Sequence, residues 1–188
     1  MTIAGSMEDL SLHILDIAEN SLNAGATEVS ITIDEDTQSD LLTVEVMDNG
    51  KGMDTDTSHN VMDPFYTTRT TRSVGLGLPL LNEAARLANG SVKVASVPGK
   101  GTTVTATFQL SHIDRKPLGR MADTVTAIIA GRPDVDVRYR HQRGDAVLAF
   151  TTKDIRERFE DLPLNSARVL GFIREYLTQE DNDLMPHD

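Results

Sequence analysis

The feature that most constrains this chain is the run Val74-Gly75-Leu76-Gly77-Leu78-Pro79-Leu80-Leu81, which joins a polar stretch to an apolar segment of helical spacing (Leu80, Leu81, Ala84, Ala85, Leu87, Ala88). Two glycines one residue apart let the backbone turn tightly and leave room for a ligand beside the main chain. Pro79 falls where a first helical turn would be, the helical position at which a missing N–H costs least. A glycine turn opening onto a helix N-terminus offers unpaired N–H groups and partial positive charge, which suits a phosphate. By itself such a run is also an ordinary turn, so the neighbouring polar clusters have to decide.

Four other clusters accompany it in order. Upstream are Glu19-Asn20-Ser21-Leu22-Asn23-Ala24-Gly25-Ala26, then Asp48-Asn49-Gly50-Lys51-Gly52-Met53, then Asp63-Pro64-Phe65-Tyr66-Thr67-Thr68-Arg69; downstream is Gly99-Lys100-Gly101-Thr102-Thr103. In order and spacing they resemble the N box, G1 box, F box, G2 box and closing Gly-Thr strand of the GHKL ATPases. That superfamily comprises DNA gyrase, the ninety-kilodalton heat-shock chaperones, histidine kinases and mismatch-repair MutL. The wording of the third and fourth clusters looks most like histidine kinases, and the match covers roughly residues 8–112. The resemblance implies an α+β fold of Bergerat type: a two-layer α/β sandwich whose mixed, mostly antiparallel sheet is covered on one face by helices. It also implies ATP and Mg²⁺ as ligands.

The local patterns agree. Residues 8–24 read as a helix with Leu10, Ile14, Ile17, Ala18 and Leu22 on one face and Asp16, Glu19, Asn20 and Asn23 on the other. An asparagine amide and carboxylates on one face can hold Mg²⁺ together with phosphate oxygens and water. Thr27–Asp34 and Leu41–Asp48 alternate as strands around a polar turn, 35–40, and Asp48 continues the inward row of Leu42, Val44 and Val46. An inward carboxylate at a strand end is costly unless a partner satisfies it. In the family that carboxylate accepts a hydrogen bond from the adenine amino group. Gly50 and Gly52 then allow close approach of the backbone to the base.

Residues 53–73 are polar and aperiodic, long enough for a lid, with Thr68, Arg69 and Arg72 supplying hydroxyl and guanidinium groups for phosphate oxygens. Beyond these, the resemblance implies nucleotide contacts by Met53, Phe65, Gly75, Leu76, Gly77 and Leu78. The helix opening at Pro79 stops at Asn89-Gly90, and Ser91–Val97 with Thr102–Leu110 read as a hairpin. Thr102 lies in the inward phase, matching the family threonine that shares a water with the aspartate and adenine.

From His112 onward the resemblance to those boxes stops. Pro117–Ala130 reads as a helix, Val135–Tyr139 and Ala146–Thr151 as a hairpin around Arg143-Gly144-Asp145, and 165–179 as an amphipathic helix. The expected division is thus 1–112, an ATP-binding domain, and 113–188, a small α-β-β-α extension. The string Ser111–Gly119 resembles that of small stand-alone ATP-binding proteins of anaerobic bacteria and implies no activity.

Two departures bear on function. Hydrolysing members carry a glutamate four residues before the N-box asparagine, where it activates water; Asp16 stands there, shorter by one methylene, about 1.5 Å. Glu19, beside Asn20, is the acidic residue usual in histidine kinases and is the alternative base. Asn23 replaces the lysine or aspartate common at its position. Only about seven residues precede the first helix, so the sensor kinases' histidine-bearing hairpin, and autophosphorylation through it, are not expected. His13, among apolar residues, reads as packing, and His59, His112, His141 and His187 show neither metal spacing nor an acidic partner pattern.

Composition sets outer limits. At 188 residues the chain is one to one and a half domains, and without cysteine it has no disulfide or thiolate metal site. No run approaches the roughly 18 apolar residues of a membrane span, and the N-terminus lacks a signal pattern, so a cytoplasmic location is expected. The 29 acidic against 18 basic side chains give −11, which disfavours nucleic acid and anionic lipid as partners. Two readings follow: an ATPase or kinase acting on a protein partner, or an ATP-dependent switch with little turnover. A MutL-like repair ATPase ranks third, against the charge and the short lid.

Overall fold

The computed structural model describes residues 9–54, 57 and 77–184. Six strands form one sheet: β1 (Glu28–Asp36), β2 (Leu41–Asp48), β3 (Ser91–Val97), β4 (Gly101–Gln109), β5 (Asp136–Arg143) and β6 (Ala146–Thr151). Their order is β3-β4-β2-β1-β5-β6, antiparallel throughout except β1 against β5. Among the described residues the helices are α1 (Leu10–Asn23), α2 (Gly77–Leu87), α3 (Met121–Gly131), α4 (Thr152–Arg158) and α5 (Ala167–Leu184). This is the α+β sandwich of Bergerat type, with the 113–188 strands continuing its sheet.

Period-two alternation explains the layers. Along β1, Val29, Ile31 and Ile33 are fully buried while Ser30, Thr32 and Asp34 lie half-exposed on the opposite face. Leu42, Val44 and Val46 on β2, and Val104, Ala106 and Phe108 on β4, extend that inward row. The five expected apolar residues of α1 are all buried against it. Each large one contributes about 1.5–3 kcal/mol, which outweighs the weak helix preference of the interspersed Asn and Ser. The same core continues without a break through Val125 and Ile129 of α3, Val137 of β5 and Ile173 of α5.

The segment after 112 also terminates α1. The first N–H groups of α1 are satisfied by backbone rather than by a side-chain cap: Leu10 donates to the Pro117 carbonyl at 2.9 Å and Ser11 to that of Leu118 at 2.8 Å. Residues 117–120, expected in a helix, are therefore a non-helical strap with Gly119 at φ 82°, and α3 starts at Met121. Its Thr124 hydroxyl donates to the Ser11 carbonyl at 3.2 Å.

Other differences from expectation are local. α2 begins at Gly77, ahead of Pro79, and the residue in left-handed conformation after it is Asn89 (φ 54°), not Gly90. The extension gains α4, whose Thr151 cap accepts from the Asp154 N–H. The largest difference concerns Glu35 and His141. Glu35, expected in a turn, is an inward residue of β1 and only 6% exposed. His141, expected to lack acidic partners, is 1% exposed with Nε2 2.8 Å from Glu35 Oε1 and Nδ1 3.2 Å from Asp181 Oδ1. The Arg143 guanidinium donates to Glu35 Oε2 at 3.0 Å, and the Tyr139 hydroxyl donates to Asp181 at 3.3 Å. Burial works against charging the imidazole, but the Asp181 and Glu35 carboxylates outweigh it and push His141 up to about 9. Burial likewise raises Glu35, yet its hydrogen bond to His141 and the charge of Arg143 prevail and hold it below the usual carboxylate range. Desolvation and Asp181 raise Tyr139. Sequence spacing could not disclose this, because Glu35 and Asp181 are 106 and 40 positions from His141.

Candidate functional site

Asp48 closes β2, pairs across to Thr102 of β4, and lies half-buried beneath α1. Its Oδ2 lies 2.6 Å from the Ser21 hydroxyl and its Oδ1 accepts the Gly50 N–H at 2.8 Å. Both donors are neutral, and each carboxylate oxygen keeps a further lone pair. Ser21 sits on α1 one residue past Asn20 and a turn past Ile17, so the buried face of the helix delivers it to the strand end. The sequence reading passed over it. Its signal was a serine on the apolar face of a helix, in phase with Asp48 only once α1 and β2 are packed.

The turn after Asp48 is fixed by its own side chains. Asn49 Oδ1 accepts the N–H groups of Thr27 and Glu28, each at 2.9 Å, and its Nδ2 donates to the Thr27 hydroxyl. Lys51 N–H donates to the Ala24 carbonyl at 3.1 Å, tying the turn to the end of α1. Gly52 (φ 66°) then passes so near the β3–β4 turn that a Cβ would stand 2.1 Å from the Val97 carbonyl oxygen. Gly101 (φ 109°) crowds Asp48 equally, since a Cβ there would meet its carbonyl oxygen at 1.9 Å. Both glycines are needed for positive φ and for close approach of two backbones. Met53 N–H donates to Ser96 Oγ at 2.8 Å, and Ser96 Oγ lies 2.8 Å from Thr102 Oγ1. Ser96, like Ser21, was not foreseen.

The other end of the site is the exposed flank of α1. Asp16 stands over the start of α2: a Cβ on Gly77 would meet the Asp16 Cβ at 3.0 Å and its Oδ2 at 3.3 Å. Leu78 is half-buried against the core behind it. Asn20 is half-exposed one turn on from Asp16. Glu19 and Asn23 face the other way, lining with Leu22 a cleft of about 220 Å³ against Ala127, Ile128, Gly131 and Arg132 at the end of α3. The polar residues of α1 thus divide, Asp16 toward Gly77 at the start of α2 and Glu19 with Asn23 toward α3. His13 is buried, 2% exposed. Phe65, Thr68, Arg69, Arg72, Gly75 and Leu76 lie outside the described residues.

An adenine nucleotide suits this chemistry. Asp48 and Thr102 form a polar end with acceptor capacity to spare, and the Asp16–Asn20 flank with the start of α2 forms another. Among the described residues no three His, Cys, Asp or Glu side chains are arranged to hold a metal alone. The amide oxygen of Asn20 fits Mg²⁺ only in company with phosphate oxygens and water, the usual environment of that ion. Among the described residues no helix is long and apolar enough to cross a membrane.

Comparison with known proteins agrees with this geometry. Residues 5–112, more than half the chain, match the family model described as histidine kinase-, DNA gyrase B-, and HSP90-like ATPase. Among curated relatives, the signal transduction histidine-protein kinase AtoS of Escherichia coli (strain K12) is 34% identical over 104 residues, covering 55% of this chain and 17% of that protein. The sensor protein kinase FleS of Pseudomonas aeruginosa is 36% identical over 110 residues, covering 58% of this chain and 27% of that protein. The chain therefore spans about a quarter or less of these kinases. A crystal structure of the N-terminal domain of a DNA repair protein superposes with a TM-score of 0.52 at 16% identity, covering 80% of this chain and 56% of that one. That coverage exceeds what residues 5–112 alone could supply, so the likeness of fold reaches into the later strands and helices. The chain belongs to the histidine kinase-, DNA gyrase B-, and HSP90-like ATPase family.

Proposed function

We propose that this protein binds Mg²⁺-ATP, with Asp48 and Thr102 holding the adenine, Asn20 the metal and the Gly75-Leu76-Gly77 run the phosphates, and with Asp16 beside them as a candidate base. The observation that carries the reading is Asp48, a half-buried carboxylate at the end of β2 fixed by the Ser21 hydroxyl and the Gly50 N–H. Such a group is costly to desolvate unless a donor completes it, and an exocyclic amine is that donor. When bound, ATP supplies a γ-phosphoryl group for transfer to water or to a partner protein.

Within this reading the working base is Asp16 or Glu19. Asp16 is favoured by its place over Gly77; Glu19 points toward α3. The short reach of Asp16 predicts slow turnover, well below the typical enzyme scale of about 10 s⁻¹. Calorimetric titration with ADP and Mg²⁺-ATP tests binding, and phosphate release from Asp16→Glu, Asp16→Asn and Glu19→Gln tests the base. Asp16→Glu should accelerate release, since a well-placed base contributes roughly 10²–10⁴-fold. Asp16→Asn should abolish release and leave affinity nearly unchanged. If only Glu19→Gln stops turnover, the base is Glu19.

A second reading, an ATP-dependent switch with little turnover, is favoured by the strap. Because Pro117 and Leu118 cap α1 and Thr124 bonds to Ser11, movement of the nucleotide helix would be felt directly by α3 and the strands after it. Bound nucleotide with no phosphate release from any variant, together with nucleotide-dependent capture of a protein partner, would select this reading.

A further inference from the structure

We propose that Ser96 is a positioning residue that selects the base, by fixing the direction in which the Thr102 hydroxyl proton points. The proposal rests on the adenine-site reading above and goes beyond it to a residue that would not itself touch the nucleotide.

The argument is a count of protons. Ser96 Oγ has three neighbours: the Met53 N–H at 2.8 Å, the Gly101 carbonyl oxygen at 3.1 Å and Thr102 Oγ1 at 2.8 Å. The Met53 contact has one polarity, since an amide N–H only donates, so it occupies one Ser96 lone pair. The single Ser96 proton then goes to Gly101 or to Thr102. If it goes to Gly101, Thr102 donates back to Ser96 and turns only lone pairs outward. If it goes to Thr102, the Thr102 proton is released to point outward beside Asp48, its cross-strand partner.

The two states select different bases. Asp48 is an acceptor and demands a donor, as the adenine amino group is. The ring position next to that amine is an acceptor nitrogen in adenine, so it requires a donor from Thr102, directly or through a water. Hypoxanthine reverses both, placing a carbonyl against Asp48 and a ring N–H toward Thr102. Adenine therefore needs the state in which Ser96 donates to Thr102. The distances favour that state: Thr102 Oγ1 at 2.8 Å lies within the usual O–H···O range of about 2.5–3.0 Å, whereas the Gly101 carbonyl oxygen at 3.1 Å lies beyond it. Ser96 also joins the Gly52-Met53 turn to the β3–β4 hairpin, so the bias and the shape of the site depend on one side chain.

The test measures dissociation constants for ADP and IDP by titration calorimetry, which needs no turnover. Wild-type protein should prefer ADP. Ser96→Ala should weaken ADP by roughly 3–10-fold, the range for one neutral hydrogen bond, and weaken IDP less, so that the ADP/IDP ratio contracts at least threefold. Ser96→Thr keeps the hydroxyl and should restore the ratio. Ser96→Cys keeps the size with only a weak donor and should contract the ratio as alanine does, which preserves the test should Ser96→Ala not fold. An unchanged ratio in Ser96→Ala, or in Ser96→Cys if alanine is unfolded, overturns the proposal whatever happens to thermal stability. Asp48→Asn separates the two levels: if it leaves ADP binding intact the adenine-site reading has failed, whereas lost ADP binding there with an unchanged ratio at Ser96 removes the proposal alone.

Discussion

The two ends of β1 carry polar clusters of opposite construction. At its start, opposite Val29, Asp48 is held by a serine hydroxyl and a backbone N–H, in reach of a chain of further hydroxyls at Thr102 and Ser96. At its finish, Glu35 meets His141 and Arg143, and His141 in turn meets Asp181. The first cluster is half-buried and built from neutral donors, so acceptor capacity remains for an incoming group. The second is built from charges around a buried imidazole and the buried Glu35 carboxylate, with both imidazole nitrogens and both Glu35 oxygens engaged. Under the proposed function one strand ends in a receptor and in a lock, and the difference lies in whether the partners exhaust one another's hydrogen-bonding capacity. The lock also joins β1, β5 and α5, elements that lie far apart along the chain.

The sharpest way to break the comparison is His141→Leu. It would leave Glu35 and Asp181 facing an apolar side chain, and breaking a buried pair in this way costs about 3–5 kcal/mol. Urea unfolding should register that loss, while ADP affinity of the folded protein stays within a factor of two. A large change in affinity with unchanged stability would reverse the assignment of the two ends.

Asp48→Asn should do the converse. If Asp48 meets the base and not the phosphates, as proposed, removing this charged hydrogen-bond partner should weaken ATP, ADP and AMP alike by about 1.5–3 kcal/mol. Equal affinities for mutant and wild type would take Asp48 out of the site.

The pH dependence of stability offers a smaller effect with a definite sign. The folded-state value of His141 is raised, so its contribution is complete below the ordinary 6.5 and is lost as pH rises through about 9. Glu35 is depressed, so its contribution is present above the ordinary carboxylate range and is lost in acid. Facing His141 are Glu35 from β1, Tyr139 from β5 and Asp181 from α5, with Arg143 on the far side of Glu35. Wild-type protein should therefore lose stability between neutrality and pH 10, and His141→Leu should lack that slope. A parallel decline in both would place the alkaline transition elsewhere.

Ser21→Ala should show the least: a loss of about 1 kcal/mol in ADP affinity from one neutral hydrogen bond to Asp48. No loss at all would mean that Gly50 N–H alone orients the carboxylate.

Much of this was legible in residue order. The inward row of β2 and the parity of Asp48 were fixed by alternation, and the apolar face of α1 by its 3.6-residue period, because both report which side of one element meets the core. The five motif clusters, by their order and spacing along the chain, imply the family. Boundaries were less legible: the strap at 117–120 and the short α4 depend on which carbonyls and N–H groups find partners across the fold.

What the sequence determined by itself was the six strands and every described helix except α4, the inward phase of β1, β2, β4 and α1, and the presence of glycines where the backbone must pass closely. What only the tertiary structure decided was which polar side chains meet: Ser21 with Asp48, Ser96 with Thr102 and Met53, and Glu35 with His141 and Asp181. The reason is one of range. Periodicity records a residue's exposure within its own element, whereas a hydrogen bond needs two atoms within about 3 Å. That distance is set by how strands register and how helices cross, and no spacing along the chain encodes it.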